Sequence, residues 1–262
     1  MFVSLWKNRG LTLSLTKREV IGRYKGSFFG LFWSFFNPLF MLAIYTLVFG
    51  IIFKARWTGG SDSQIEFALI LFSGLILFNL FAECISRAPT LIISNSNYVK
   101  KVVFPLEILS WVALGSALFH AGVSLLVWFI AYSLFLGVPS VTSLMLPVVL
   151  LPFLILVVGL TWLLASLGTF LRDIGQLMGL ILTAMMFLSP IFYPITNLPE
   201  VMQPWLNLNP LTIPIGQVRE VLMWGQLPNL RMFSTYSVVS LMIAWLGFFC
   251  FQKTRRGFAD VL

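Results

Sequence analysis

The chain has 262 residues, of which 59% are hydrophobic and only 10% are charged. A soluble domain carries roughly 25% charged residues, so a water-soluble fold of this size is excluded: too few charges exist to cover its surface. The net charge of +8 would suggest nucleic acid in a soluble protein, but the basic residues gather at the chain ends and in one internal loop, where orientation in a membrane accounts for them, and no nucleic-acid partner is expected.

Residues 1–27 carry Lys7, Arg9, Lys17, Arg18, Arg23 and Lys25 and no long apolar run, so no cleavable signal peptide is expected. Within them, Leu13, Val20, Ile21 and Tyr24 can share one side of a helix over 11–25, with Arg18 and Lys25 facing elsewhere and Lys17 snorkelling. The pattern predicts an amphipathic helix lying in the membrane interface. The first span is expected at 28–53, an uncharged stretch whose 26 residues reach roughly 39 Å as a helix, enough to cross with tilt. The uncharged run 67–82 is short for a span, so its helix is expected to continue past Glu83 toward Arg87, with Pro89 just beyond.

The segment 84–107 is too elaborate for a minimal hairpin. Pro89, the polar run Ser94–Asn97 and the pair Lys100 and Lys101 suit a short helix that docks on a cytoplasmic partner. The uncharged stretch 108–171 is too long for one helix, and GVPSVTS at 137–143 divides it into spans near 108–136 and 144–171, the second bent by Pro147 and Pro152. A fifth span is expected near 174–192, stopped by Pro190 and Pro194. Segment 193–231 holds six of the thirteen prolines. Pro214 suits the first position of a short helix, with Ile215, Val218 and Leu222 following at helical spacing, and Trp205 and Trp224 suit a membrane interface. Two short helices dipping into the outer leaflet are expected there. The sixth span lies near 232–251, closed by Lys253, Arg255 and Arg256.

Six spans put both termini on one side. With the N-terminus, the 84–107 loop, the 172–173 turn and the tail, that side holds 13 of the 17 basic residues; the other holds Lys54, Arg56, Arg219 and Arg231. The bias makes the termini cytoplasmic.

A search for reactive chemistry finds little. No G-x-x-x-x-G-K-[ST] loop is present to cradle ATP phosphates. His120 alone makes neither a metal cluster nor a nucleophile–His–acid constellation, and it reads as a helix-interface histidine bonded to a neighbour. Cys84 and Cys250 read as small packing residues. No catalytic, cofactor or metal residue is expected. Amides and aromatics say more. Asn37 shares a helical face with Trp33 and Phe40, Asn79 with Phe72 and Glu83, and Thr183 with Met186 and Phe187. Rings offer flat surfaces to sugar C–H groups and amides exchange hydroxyl hydrogen bonds, so such faces could guide a sugar chain.

Three stretches carry a family resemblance: LTKREVIGRYKGSFFGLFWSFFNPLFMLAIYTLVFG at the N-terminus, YVKKVVFPLEIL in the loop, and FLRDIGQLMGLILTAMMFLSPIFYPITNLP with the later LNLNP and REVL. Together they resemble the permease subunits of polysaccharide ABC exporters, which move O-antigen, capsule or teichoic-acid chains. The resemblance implies an all-α, six-span domain of a bacterial inner-membrane protein, organised as an interface helix at 1–27, spans 1–5 over 28–192, external gate helices at 193–231, span 6 at 232–252 and a tail at 253–262. It implies a homodimer with a pore at its two-fold axis, embedded in membrane lipid, above two copies of a separate nucleotide-binding subunit that holds ATP and Mg. Trp33, Asn37, Phe40, Phe72, Asn79, Thr183, Met186 and Phe187 would then line the pore. Arg18, Asn95, Asn97, Tyr98, Lys100 and Lys101 would dock the ATPase, and Pro190, Tyr193, Pro194, Trp205 and Pro214 would form the external gate. Rival readings are an ABC exporter of drugs or lipids, a membrane enzyme of glycan assembly and a passive channel. An enzyme should present carboxylates or histidine on its external loops, where only Asp62, Glu66, Glu200 and Glu220 stand.

Overall fold

A computed structural model describes residues 2–52, 57, 64–100 and 104–261. Among them every regular element is helical. Two helices open the chain, α1 (Phe2–Lys7) and α2 (Arg9–Tyr24). Gly26, at φ +86°, takes the left-handed backbone that turns the chain from α2 toward the first long helix. That helix is α3 (Trp33–Tyr45), preceded by a 3₁₀ turn and continued by a π-helical stretch, Thr46–Ile52. Then come α4 (Gln64–Arg87), the short α5 (Ser96–Lys100), α6 (Ile108–Phe135), α7 (Leu146–Phe170) and α8 (Ile174–Leu188). The chain ends with α9 (Gln203–Leu206), α10 (Thr212–Leu222), α11 (Leu230–Thr254) and α12 (Phe258–Val261).

Five helices among the described residues are long and apolar enough to cross a bilayer: Gly30–Ile52, α4, α6, α7 and α11, the last four counted with their short helical extensions where they have them. The apolar α8 has 15 residues and reaches only about 22 Å, short of a hydrocarbon core of roughly 30 Å. Proline placement explains the fifth-span estimate: the helix stops at Leu188, and the chain through Ser189 and Pro190 is no longer helical. The second span does continue through Glu83 to Arg87. Pro147 does not break α7; it sits in the first turn, where its missing N–H has no partner to lose, while Pro152 lies inside the helix. At 137–143, Gly137 adopts φ +98° and ends α6.

The core is built around α4, whose span is buried over 78% of its apolar window against 11% for the first span. That difference makes α4 the axis of the bundle and α3 its margin. Buried indoles tie neighbours together: Trp128 Nε1 donates to the Leu69 carbonyl (2.9 Å) and Trp162 Nε1 to that of Glu107 (3.0 Å). Helices α7 and α11 cross closely because Gly159 and Gly247 face each other; a Cβ at Gly159 would lie 2.5 Å from the Ala244 backbone. Small residues permit such backbone approach where lipid supplies no hydrophobic drive between helices.

The two ends of the bundle are distinct. At one, the buried Glu107 accepts from Ser4 Oγ (2.7 Å) and pairs with Arg255 Nη1 (3.1 Å), bringing the N-terminal helix, the start of α6 and the end of α11 together. At the other, Thr142 Oγ1 donates to the Val221 carbonyl (2.8 Å) and the Tyr236 hydroxyl to that of Pro210 (2.8 Å). The basic residues Lys54 and Arg56 lie outside the described residues.

α2 packs only part of its surface on the bundle. Thr12, Leu15 and Val20 are buried, whereas Leu13 and Ile21 are exposed. Ion pairs tie α2 to α4: Glu19 meets Arg87 and Arg23 meets Glu83; the exposed Leu13 and Ile21 stay free for the membrane interface.

Candidate functional site: a polar cleft between α2, α3, α4 and α6

Glu83 is the centre of the polar interior at the end of the bundle that holds both termini. Helix geometry puts Glu83 and Arg87 one turn apart on α4 and Glu19 and Arg23 one turn apart on α2. The helices meet so that each acid faces a base. Arg23 Nη2 lies 2.5 Å from Glu83 Oε1, Arg87 pairs with Glu19, and Arg87 Nη1 stands 3.7 Å from Glu83. The four charges cancel. Such cancellation is what allows a carboxylate on an otherwise apolar span, since an unpaired buried charge costs several kcal/mol.

From α6, His120 Nδ1 approaches Glu83 Oε2 at 3.0 Å and Arg23 Nη1 at 3.1 Å. One nitrogen cannot donate to the carboxylate and accept from the guanidinium at once. Both contacts are charge-assisted, and the tautomer decides which of them Nδ1 makes. Nε2 is buried with no hydrogen-bond partner. Tyr24 packs edge-on against the imidazole, ring centres 6.1 Å apart.

Beside this cluster opens a cleft of about 270 Å³. Among the residues predicted to line a pore, Asn37, Phe72 and Asn79 come together on its wall, with Glu83 and His120 at one end. Trp33 and Phe40 do not join them; both are exposed on the outer flank of α3. Nor do the α8 residues. Thr183 is exposed and donates to the Gly179 carbonyl (2.8 Å), Met186 is half-buried, and Phe187 is exposed, stacked on Phe192. Asn37, Trp33 and Phe40 are all exposed on α3, and of the three only Asn37 reaches the cleft.

In the docking segment, Arg18 Nη2 donates to the Tyr98 hydroxyl (2.7 Å), so α2 touches α5 directly. Tyr98 stacks on Phe104 with ring centres 4.4 Å apart. Asn95 Nδ2 is spent on the Leu91 carbonyl (2.9 Å), and Asn97 and Lys100 are exposed. Lys101 lies outside the described residues.

At the opposite end, Pro190 is buried, the Tyr193 hydroxyl donates to the carbonyls of Phe187 (3.3 Å) and Leu188 (3.2 Å), and Pro194 leads into a 3₁₀ turn. Trp205 is exposed on α9. Pro214 is buried, and α10 starts two residues before it, at Thr212, rather than at the proline.

Sequence reasoning missed the residue that joins these parts. Arg219 on α10 is 3% exposed. It donates Nε to the Ile70 carbonyl (3.2 Å), Nη1 to Pro190 (2.6 Å) and Nη2 to Ile191 (2.9 Å), and its guanidinium lies 4.6 Å from the centre of the Trp57 ring. Gly74 leaves the space; a Cβ there would sit 2.9 Å from Nη2. The available signal was an arginine in the last turn of the short, largely apolar TIPIGQVREVL, but positive-inside counting treats every arginine as solvated.

Comparison with known proteins identifies this architecture. The chain matches the family model described as ABC-2 type transporter over residues 10–223. It is 26% identical over 258 residues to the O-antigen export system permease protein RfbA of Myxococcus xanthus, covering 98% of this chain and 96% of that one. A protein of the same name from Klebsiella pneumoniae is 27% identical over 256 residues, covering 96% of this chain and 95% of the relative. The polysialic acid transport protein KpsM of Escherichia coli is 25% identical over 238 residues, 88% of this chain and 89% of that protein. The chain, a multi-pass helical membrane protein, belongs to the membrane family of ABC-2 type transporters.

Proposed function

We propose that this chain is the membrane-spanning subunit of an ATP-driven exporter that moves a polysaccharide, lipid-linked, across the bacterial inner membrane. The observation that carries the reading is near-full-length similarity to permeases named for O-antigen and polysialic acid. An amide- and aromatic-lined cleft in the bundle is chemistry that suits sugar. Two copies of the chain enclose the path, and two copies of a separate nucleotide-binding subunit hold ATP and Mg; this chain holds no cofactor and performs no catalysis of its own.

In this reading both termini are cytoplasmic and the bundle makes six crossings over 28–252, α8 serving as the short fifth one. Residues 1–27 form the interface helix, 193–231 dip into the outer leaflet as gate helices, and 253–262 form the tail. Asn37, Phe72 and Asn79, with Trp33, Phe40, Thr183, Met186 and Phe187 contributed across the two-fold axis, line the route. Arg18, Asn95, Asn97, Tyr98, Lys100 and Lys101 meet the ATPase, and Pro190, Tyr193, Pro194, Trp205 and Pro214 shape the external gate.

The test is genetic and chemical together. Deleting the chain in its host should remove surface polysaccharide while polymer accumulates inside, and the intact gene should restore display. Unchanged surface polymer in the deletion strain would refute the proposal.

A further inference from the structure

Helix α2 carries a row of side chains that the bundle does not use. Arg9, Leu13, Lys17, Ile21 and, just past the helix end, Lys25 follow one another at four-residue spacing, which aligns neighbours along one side of a helix. All five are exposed. The row alternates basic and apolar. Before it stands Trp6, 73% exposed, with the Arg9 guanidinium 4.9 Å from its ring centre. After it comes Phe28, 96% exposed, where the chain approaches the first span. The rest of the helix is already engaged: Glu19 pairs with Arg87, Arg23 with Glu83, and Arg18 donates to the Tyr98 hydroxyl.

Charge and hydrophobicity together select the partner. Residues 1–27 contain one acid, Glu19, and Arg87 takes it. Among the described residues Lys7, Arg9, Lys17 and Lys25 meet no acid, so the face is positive and unneutralised. Its apolar members do not stop with the helix. They run on through Phe28 into Phe29, Leu31 and Phe32, all exposed at the start of the first span. A surface that is basic and apolar by turns, and continuous with a bilayer-crossing helix, fits the headgroup boundary of a membrane. There the apolar side chains enter the acyl edge while the cations stay at the level of the phosphates.

Resting on the proposed placing of residues 1–27 in the interface, we infer that this row is a binding surface for anionic phospholipid of the leaflet on the side of the chain ends. The lipid phosphates hold α2 from outside, while its ion pairs with α4 and its bond to α5 hold it from within. Each basic residue close to an anionic leaflet contributes about a fivefold preference for it.

The experiment uses the full chain with its ATPase subunit in lipid vesicles. A bimane fluorophore is attached at Leu13→Cys on a Cys250→Ser background, and either phosphatidylglycerol or phosphatidylcholine carries a bromine quencher. Brominated phosphatidylglycerol should quench at a mole fraction at least tenfold lower than brominated phosphatidylcholine, and high salt should erase the difference. Arg9→Gln, Lys17→Gln and Lys25→Gln should each reduce the preference about fivefold, and all three together should remove it. Arg9→Lys, Lys17→Arg and Lys25→Arg combined should keep it, as should Arg231→Gln at the opposite end of the bundle. Unchanged thermal unfolding in detergent shows that a variant is folded. Equal quenching by the two lipids in the otherwise unaltered chain overturns the anionic surface and leaves the interface placing intact, whereas quenching by neither lipid removes that placing itself. A preference indifferent to salt, or kept by the triple glutamine variant, also overturns the inference. Relief by inorganic phosphate, but not by chloride at the same ionic strength, overturns it in favour of a site for free anions.

Discussion

Arg219 and Gly74 form a unit that only the three-dimensional arrangement reveals. Among the described residues the partners of this buried arginine are carbonyls and the Trp57 ring rather than an acid, so its hold depends on the fork of the guanidinium reaching Ile70, Pro190 and Ile191 at once. Lysine, a point donor on a flexible stem, cannot reproduce that fork. Arg219→Lys and Arg219→Met should therefore both destabilise the protein, by about 2–4 kcal/mol, read as loss of thermal stability in detergent. Gly74→Ala should do the same by displacing Nη2, and should cost much less once Arg219→Met has removed the guanidinium. Additive losses would show that the glycine serves another neighbour. At the other end of the bundle, Glu83→Gln removes the charge that offsets Arg23. Because the Arg23 side chain is 40% exposed, solvent screens part of the effect, and a loss of about 1–3 kcal/mol is expected. Arg23→Gln in addition should recover part of it; no recovery would mean the two do not act as a pair.

Individual elements were legible to different degrees. Long helices announce themselves because an uncharged run of twenty or more residues has no other stable arrangement in lipid, and the extension of α4 through Glu83 to Arg87 followed from the shortness of the apolar run before it. The tie between α2 and α4 was not legible, since the partners of Glu19 and Arg23 lie some sixty residues away in sequence. The same long-range logic hid the cleft: periodicity groups Asn37 with Trp33, but only the packing of α4 and α6 shows that of the two Asn37 alone reaches it. The short α5 is the element with the clearest test. Arg18 bonds Tyr98, and the exposed Lys100 stands two residues further, so replacing Tyr98, Lys100 and Lys101 together by alanine should abolish co-purification with the ATPase while leaving the permease inserted. A normal complex with normal export would reduce the segment to a topological flank.

For the whole molecule, orientation and assembly are the open physical questions. The contacts that gather Ser4, Glu107 and Arg255 put the chain ends at one end of the bundle, the end that the proposed reading sets in the cytoplasm on the basic bias. Reporter fusions at Ser140 and Asn207 should read external and those at Asn97 and Leu262 internal; an external signal at Asn97 would reverse the topology. The first span, buried over only 11% of its apolar stretch, is the least covered of the five long helices, so in the dimer reading cysteines at Trp33 or Phe187 should cross-link between copies; absence of any cross-link at both would contradict a pore built from these faces.

The central claim is that this chain carries polysaccharide across the membrane when its ATPase partner hydrolyses ATP. Inside-out vesicles containing both subunits, supplied with labelled lipid-linked polymer and ATP, test it most directly. The account predicts that polymer becomes protected from an added glycosidase, and that protection disappears without ATP or without this chain. Equal protection in vesicles lacking the chain, or protection independent of ATP, would contradict it.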